Sequence, residues 1–166
     1  VVDADGDEVP RGEPGEVVVR GYNVMAGYLD DPDQTAEAVD ADAWLHTGDA
    51  ARCDEDGFYY IVDRWKDMYI SGGENVYPSE VENVLYELDA IAEVAVVGVH
   101  DERWVEVGRA FIVVKPDGQL SEQTVVDHCR ANLAKYKVPR SVVFVDELPR
   151  NATGKILKRV LRDQAL

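Results

Sequence analysis

Residues 63–78 read Asp63-Arg64-Trp65-Lys66-Asp67-Met68-Tyr69-Ile70-Ser71-Gly72-Gly73-Glu74-Asn75-Val76-Tyr77-Pro78, and the rest of the chain is organised around them. A charged knot of Asp63, Arg64, Lys66 and Asp67 leads into a short apolar run, Met68, Tyr69 and Ile70. A glycine loop, Ser71-Gly72-Gly73-Glu74-Asn75, follows and is closed by Pro78. Two adjacent glycines reach backbone angles closed to other residues and leave room for a ligand to pass close by. Gly-Gly followed by Asn is equally the chemistry of a β-hairpin or a strand-to-helix turn. The residues of the loop alone leave these readings open.

Upstream, Asp54-Glu55-Asp56-Gly57 predicts a hairpin turn between residues 50–52 and the aromatic, β-branched strand 58–62. A turn at Gly12-Glu13-Pro14-Gly15 introduces a strand at 16–20, and Pro32 opens a short helix over 31–37. Downstream, Pro78 suits the first position of a helix running to Leu88. Val81, Val84, Leu85 and Leu88 form its apolar face, and Glu80 and Glu82 lie near its positive end as capping charges. Residues 92–99 and 109–115 are nearly continuous apolar runs, as expected of strands in mid-sheet with at least one covered face. Ser121 caps a helix to about residue 134, with Val125, Cys129 and Leu133 on one side. Residues 141–145 give a third strand, and Ile156, Leu157, Val160 and Leu161 begin an amphipathic helix. The prediction is an α+β chain. A β-rich segment over 1–63 precedes a compact domain over 64–166, in which a three-stranded sheet is flanked by helices.

The charge supports a boundary near residue 63. Residues 1–62 carry 16 acidic and 3 basic side chains, and residues 63–166 carry 17 and 14, within a net charge of −16. So acidic a chain is a poor partner for nucleic acid. Its basic tail, with 8 basic and 3 acidic side chains over 135–166, suits an anion in a cleft or an acidic neighbouring surface. Two cysteines, Cys53 and Cys129, make no disulfide framework, and no His/Cys cluster predicts a metal site. A reducing cytoplasm is the expected location. No stretch approaches the length of a transmembrane segment. The acidic opening, Val1-Val2-Asp3-Ala4-Asp5, is unlike a signal peptide. Its lack of a starting Met predicts that the chain begins inside a longer protein.

Three side chains have candidate chemistry. Asp49, in Trp44-Leu45-His46-Thr47-Gly48-Asp49, can accept two hydrogen bonds from a vicinal diol or serve as a turn aspartate. Arg64 can bind a ribose or phosphate oxygen or pair with Asp63 or Asp67. Lys155, at a loop-to-helix junction, can reach an anion or be a surface lysine beside Lys158 and Arg159. His46 reads as structural or solvent-facing.

Taken together, three blocks resemble the adenylate-forming superfamily of acyl-CoA synthetases, aryl-CoA ligases, luciferases and peptide-synthetase adenylation domains. They are residues 44–49, the glycine stretch Ile70-Ser71-Gly72-Gly73-Glu74-Asn75-Val76-Tyr77-Pro78, and Pro149-Arg150-Asn151-Ala152-Thr153-Gly154-Lys155-Ile156. The order is that of the family and the resemblance covers essentially the whole chain. The glycine stretch is especially similar to that of bacterial fatty-acyl-CoA synthetases.

The resemblance implies that residues 1–63 end a large N-terminal domain and that 64–166 form a mobile C-terminal domain. It assigns Asp49 and Arg64 to the ribose of ATP, and gives Lys66 a hinge role with a nucleotide contact. It makes Lys155 the adenylation lysine, and Ser71, Gly72, Gly73 and Glu74 the lining of a path for coenzyme A. ATP, Mg²⁺ and CoA are the implied co-substrates, a carboxylic acid the substrate, and the missing N-terminal domain a partner. Where many relatives have Trp-Gly-Glu, this chain has Trp104-Val105-Glu106, which puts the local turn in question. Ile70 stands where some aryl-CoA ligases and luciferases carry lysine, which argues against luciferase-like or coumarate-ligase-like chemistry. Two other readings stand beside CoA ligation: loading of a carrier-protein thiol, and a non-catalytic nucleotide-binding module.

Overall fold

The computed structural model describes residues 1–163, and the chain divides into two compact units, Val1–Lys66 and Asp67–Leu166. The division falls after Lys66, three residues beyond the position expected from charge.

In the first unit, strands β1 (Pro14–Val19), β2 (Leu45–Cys53) and β3 (Tyr59–Arg64) form an antiparallel sheet in that order. The turn at 54–57 joins β2 to β3 as expected. Gly57 supplies a φ of +88°, and the Asp54 carboxylate accepts the Phe58 N–H at 2.9 Å and the Tyr60 hydroxyl at 3.0 Å. The Phe58 bond, with smaller help from Tyr60, holds the Asp54 carboxyl below its usual range. Helix α1 (Pro32–Ala38) starts on Pro32 and is capped by the Asp31 side chain on the Gln34 N–H. Apolar burial is thin: Ala50 and Ala51 are inaccessible, whereas Phe58, Tyr59, Tyr60 and Ile61 stand exposed in a row.

The second unit is built on a long antiparallel hairpin, β6 (Ile91–Asp101) with β7 (Val105–Val114). Alternate residues serve opposite faces of the sheet. Val94, Val96, Ala110 and Ile112 pack with Val81 and Leu85 of α2 (Pro78–Leu85) and with Val125 and Cys129 of α3 (Glu122–Asn132). Ala95, Val97 and Phe111 pack on the other face with Leu148 and with Leu161 of α4 (Lys158–Asp163). Both faces are covered, which explains why the two strands read as unbroken apolar runs. β8 (Ser141–Phe144) joins β7 in parallel and completes the expected three strands. The glycine stretch resolves into a hairpin, β4 (Tyr69–Ser71) with β5 (Glu74–Val76). It adds two short strands to the sheet through a single Ser71–Val105 pairing.

Four local expectations are corrected. α2 ends at Leu85 and not Leu88. Ile156 makes a β-bridge with Arg150, and α4 starts only at Lys158. The Glu80 carboxylate takes Lys137 at 2.6 Å. Glu82 reaches the sheet, where it accepts the Val96 N–H at 2.8 Å and pairs with Lys158 at 2.8 Å. These two acids tie elements together more than they cap a helix. Among the described residues no helix is long and apolar enough to cross a membrane.

Candidate functional site

The first unit gathers three of the predicted residues around a break in its sheet. Across β1 and β2, Glu16 faces Ala50 and Val18 faces His46, so Thr47, Gly48 and Asp49 bulge opposite Val17. Gly48 turns the bulge with a φ of +69°. On its other edge β2 sets Asp49 directly across from Arg64 of β3, and the two side chains form an ion pair. This corrects the alternative partners expected for Arg64. Asp63 accepts its own neighbour's backbone, the Arg64 N–H, at 2.7 Å, and Asp67 pairs with Arg162 at 2.8 Å. Arg64 and Asp49 are 51 % and 34 % exposed, so the pair is open to a ligand. An open cleft of about 260 Å³ beside it is lined by Glu16, Tyr28, His46, Gly48, Arg64 and Lys66 among others. His46 is structural: its Nδ1 lies 2.8 Å from the Glu16 carboxylate and its Nε2 3.8 Å from Asp40.

In the second unit, Gly72 and Gly73 are the two central residues of the β4–β5 hairpin, with φ of +62° and +90°. Positive φ at both positions is the requirement of a two-residue hairpin turn matched to strand twist. The two glycines differ in surroundings. A Cβ on Gly72 would lie 2.5 Å from the Trp104 ring, whereas a Cβ on Gly73 would meet nothing within 4 Å. The Gly72 N–H donates to the Trp104 carbonyl at 2.9 Å, and Glu106 accepts the Ile70 N–H at 3.0 Å. Ser71 is buried and Glu74 exposed. The strand connection below them is pinned by Asp101, whose carboxyl is held below its usual range by the N–H groups of Trp104 and Arg103.

Lys155 sits on a tight loop closed by Asn151. The Asn151 carboxamide oxygen accepts the N–H of Thr153 at 3.0 Å, the Thr153 hydroxyl at 2.8 Å and the N–H of Lys155 at 2.9 Å. Gly154 supplies a φ of +84°. Arg150 donates to the Gly154 carbonyl at 2.6 Å and pairs with Glu93 of β6 at 2.8 Å, fastening the loop to the sheet. Lys155 is exposed, and no ion pair or side-chain hydrogen bond engages its ammonium among the described residues. Its neighbour Lys158 is instead spent on Glu82.

The two loops occupy opposite ends of the β6–β7 hairpin. Glu93, which holds the Lys155 loop, faces Val113; Asp101, beside the glycine hairpin, faces Val105. Eight residues along a strand separate these levels, about 26 Å at a rise near 3.3 Å. Sequence reasoning missed Glu16, Thr47, Trp104 and the tethering role of Arg150. One signal was available: Glu16 stands in a strand otherwise read as Val17-Val18-Val19, and a carboxylate buried there needs a partner. Among the described residues no group of three or more His, Cys, Asp or Glu side chains is placed to hold a metal ion such as Mg²⁺.

Residues 80–155 match the model of the AMP-binding enzyme C-terminal domain. The chain is 60 % identical over 159 residues to a 3-[(3aS,4S,7aS)-7a-methyl-1,5-dioxo-octahydro-1H-inden-4-yl]propanoyl:CoA ligase of Rhodococcus jostii, covering 96 % of this chain and 31 % of that protein. It is 50 % identical over 157 residues to a feruloyl-CoA synthase of Amycolatopsis sp., covering 95 % and 32 %. The structure resembles ATP-bound MatB from Rhodopseudomonas palustris with a TM-score of 0.88 at 38 % identity, over 98 % of this chain and 32 % of that one. The chain thus spans about a third of the length of these relatives. Residues 80–155 therefore match the C-terminal domain of AMP-binding enzymes, and the chain aligns along nearly its whole length with CoA ligases.

Proposed function

We propose that the chain is the C-terminal portion of an ATP-dependent, AMP-forming acid–CoA ligase. The first unit is the end of a large nucleotide-binding domain, and the second is a small domain that turns about Lys66. A carboxylate attacks the α-phosphorus of ATP, giving an acyl-adenylate and pyrophosphate. The CoA thiol then attacks the acyl carbon, and AMP leaves. Asp49 accepts the ribose hydroxyls and Arg64 donates to the ribose. Lys155 places a positive charge at the crowded phosphorus centre during the first step. In the second step the hairpin at 71–74 lies beside the pantetheine arm, where Gly73 leaves open space.

The observation that carries the reading is the placing of a lysine whose ammonium is unengaged among the described residues and a bare glycine turn at opposite ends of one sheet. Two groups so placed serve one nucleotide site by taking turns. A sliding motion would not exchange them, whereas a rotation about a few backbone angles would. The substrate is a carboxylic acid. The glycine stretch favours a fatty acid, while the names of the relatives bring in a bicyclic propanoate and an aromatic acid. The feruloyl-CoA relative weighs against excluding coumarate-like chemistry on Ile70 alone.

The test separates the half-reactions in the complete ligase carrying this segment. Lys155→Ala is expected to abolish adenylate formation while sparing thioester formation from supplied acyl-adenylate. Gly73→Leu is expected to do the reverse. Loss of the same step in both variants would refute the two-ended reading. The isolated 166-residue chain is expected to form no AMP with any acid, because it lacks the phosphate loop and the acyl pocket that the resemblance places upstream.

A further inference from the structure

The bulge of β2 creates a problem of hydrogen bonding. Three residues stand opposite Val17, so the β1 ladder cannot serve all their N–H groups. The Asp49 N–H goes to the Thr47 hydroxyl at 3.1 Å, and that hydroxyl donates to the Val17 carbonyl at 2.8 Å. The Gly48 N–H goes to the Glu16 carboxylate at 3.1 Å. The other Glu16 oxygen holds His46 at 2.8 Å, so one side chain grips the bulge at both Gly48 and His46. Glu16 is only 9 % exposed. A buried carboxylate with two partners is costly to disturb, because removing it strands the groups it served.

We propose that Glu16 is the positioning residue for the nucleotide site: by gripping Gly48 and His46 it fixes the direction in which Asp49 meets Arg64. Glu16 itself touches neither the ion pair nor, on this reading, the nucleotide. Its effect passes through the Gly48 backbone, which adopts the left-handed φ only while its N–H is held. Without the grip the bulge relaxes, Asp49 loses its register opposite Arg64, and the two ribose contacts part. The role rests on the assignment of Asp49 and Arg64 to a ribose, so its test needs one readout that is independent of nucleotide.

The complete ligase carrying this segment, isotope-labelled, supplies both readouts, with AMP as the probe. In Glu16→Ala the Gly48 and Asp49 amide signals are expected to move, and the Gly48 N–H to lose its protection from solvent exchange. The AMP dissociation constant is expected to rise about tenfold, the scale of a lost hydrogen bond to a charged group, while signals of residues 91–114 stay in place. Glu16→Gln keeps one good acceptor and the side-chain volume. It is expected to fall between Glu16→Ala and the native chain, and it decides the matter if the alanine variant does not fold. A purely structural anchor would lower the melting temperature of both variants and leave AMP affinity and Gly48 protection native in Glu16→Gln; that result overturns the proposal. A native chain whose Asp49 and Arg64 signals ignore AMP overturns the ribose assignment instead, and unchanged Gly48 protection in Glu16→Ala overturns the grip without reference to any nucleotide.

Discussion

Val105 has a φ of +71°, and it is a β-branched residue in a region that L side chains avoid. It occupies the place where the resemblance expects glycine, and it pairs with Ser71 at the foot of the glycine hairpin. The turn keeps its shape at a cost in strain, because Asp101 clamps one side and the Trp104 ring packs on Gly72. Strain of this kind costs about 1–3 kcal/mol, and glycine at that position returns roughly 0.5–1 kcal/mol of it as chain entropy. Val105 is exposed, so little burial is lost on its removal. Val105→Gly should therefore stabilise the second unit by about 1 kcal/mol, read as a higher urea midpoint; a lower midpoint would show that the turn is not strained. The paired glycines should also differ. Gly73→Ala incurs only the backbone penalty, about 1 kcal/mol, whereas Gly72→Ala also drives a methyl into Trp104. The alanine at 72 should melt at the lower temperature of the two.

At the scale of elements, the sheet owes its closeness to a glycine pair. Gly98 and Gly108 face each other across β6 and β7, and a Cβ on either would come within 2.4 Å of Tyr69. They form the seat of the Tyr69 ring, which is 2 % exposed and whose hydroxyl pKa burial pushes well above its ordinary value. Overpacking there costs about 1–3 kcal/mol, so Gly108→Ala should lower the unfolding midpoint of the second unit; an unchanged midpoint would mean the ring has room to shift. The Lys155 loop behaves differently. Its Arg150–Glu93 tether is 40 % and 38 % exposed, so it adds at most about 1 kcal/mol to stability. Arg150→Ala should leave the melting curve nearly intact and still slow adenylate formation by roughly tenfold or more, because the amine is misplaced.

Elements of this kind show what was legible beforehand. The strands of the second unit and the Ser121 cap were readable because periodicity and capping are local properties. The five-stranded extent of the sheet was not, since the β4–β5 hairpin docks through one pairing 34 residues away in sequence. Asp49 and Arg64 were named from motifs, but their cross-strand pairing depended on two bulges that no periodicity encodes. The grip of Glu16 on Gly48 spans 32 residues and was equally out of reach.

For the whole molecule the contrast lies in the cores. The first unit buries two alanines as its fully apolar centre, while the second seals two layers of branched and aromatic side chains. A unit of some sixty residues is marginal on its own, so denaturant should melt the first unit before the second, in two separable steps followed by residue-resolved signals. A single transition across both units would count against this. Each unit also contains one cysteine. Cys53 is half-accessible at the end of β2, whereas burial in the α2–α3 layer pushes the Cys129 thiol up to about 11 from an ordinary 9.0. Between those two values the unfolded chain sheds a proton that the folded one keeps, so stability declines as alkalinity rises. At neutral pH an alkylating reagent should label accessible Cys53 first and reach Cys129 only when its layer opens, so the lag of the second label behind the first is a built-in clock for the breathing of the sealed half.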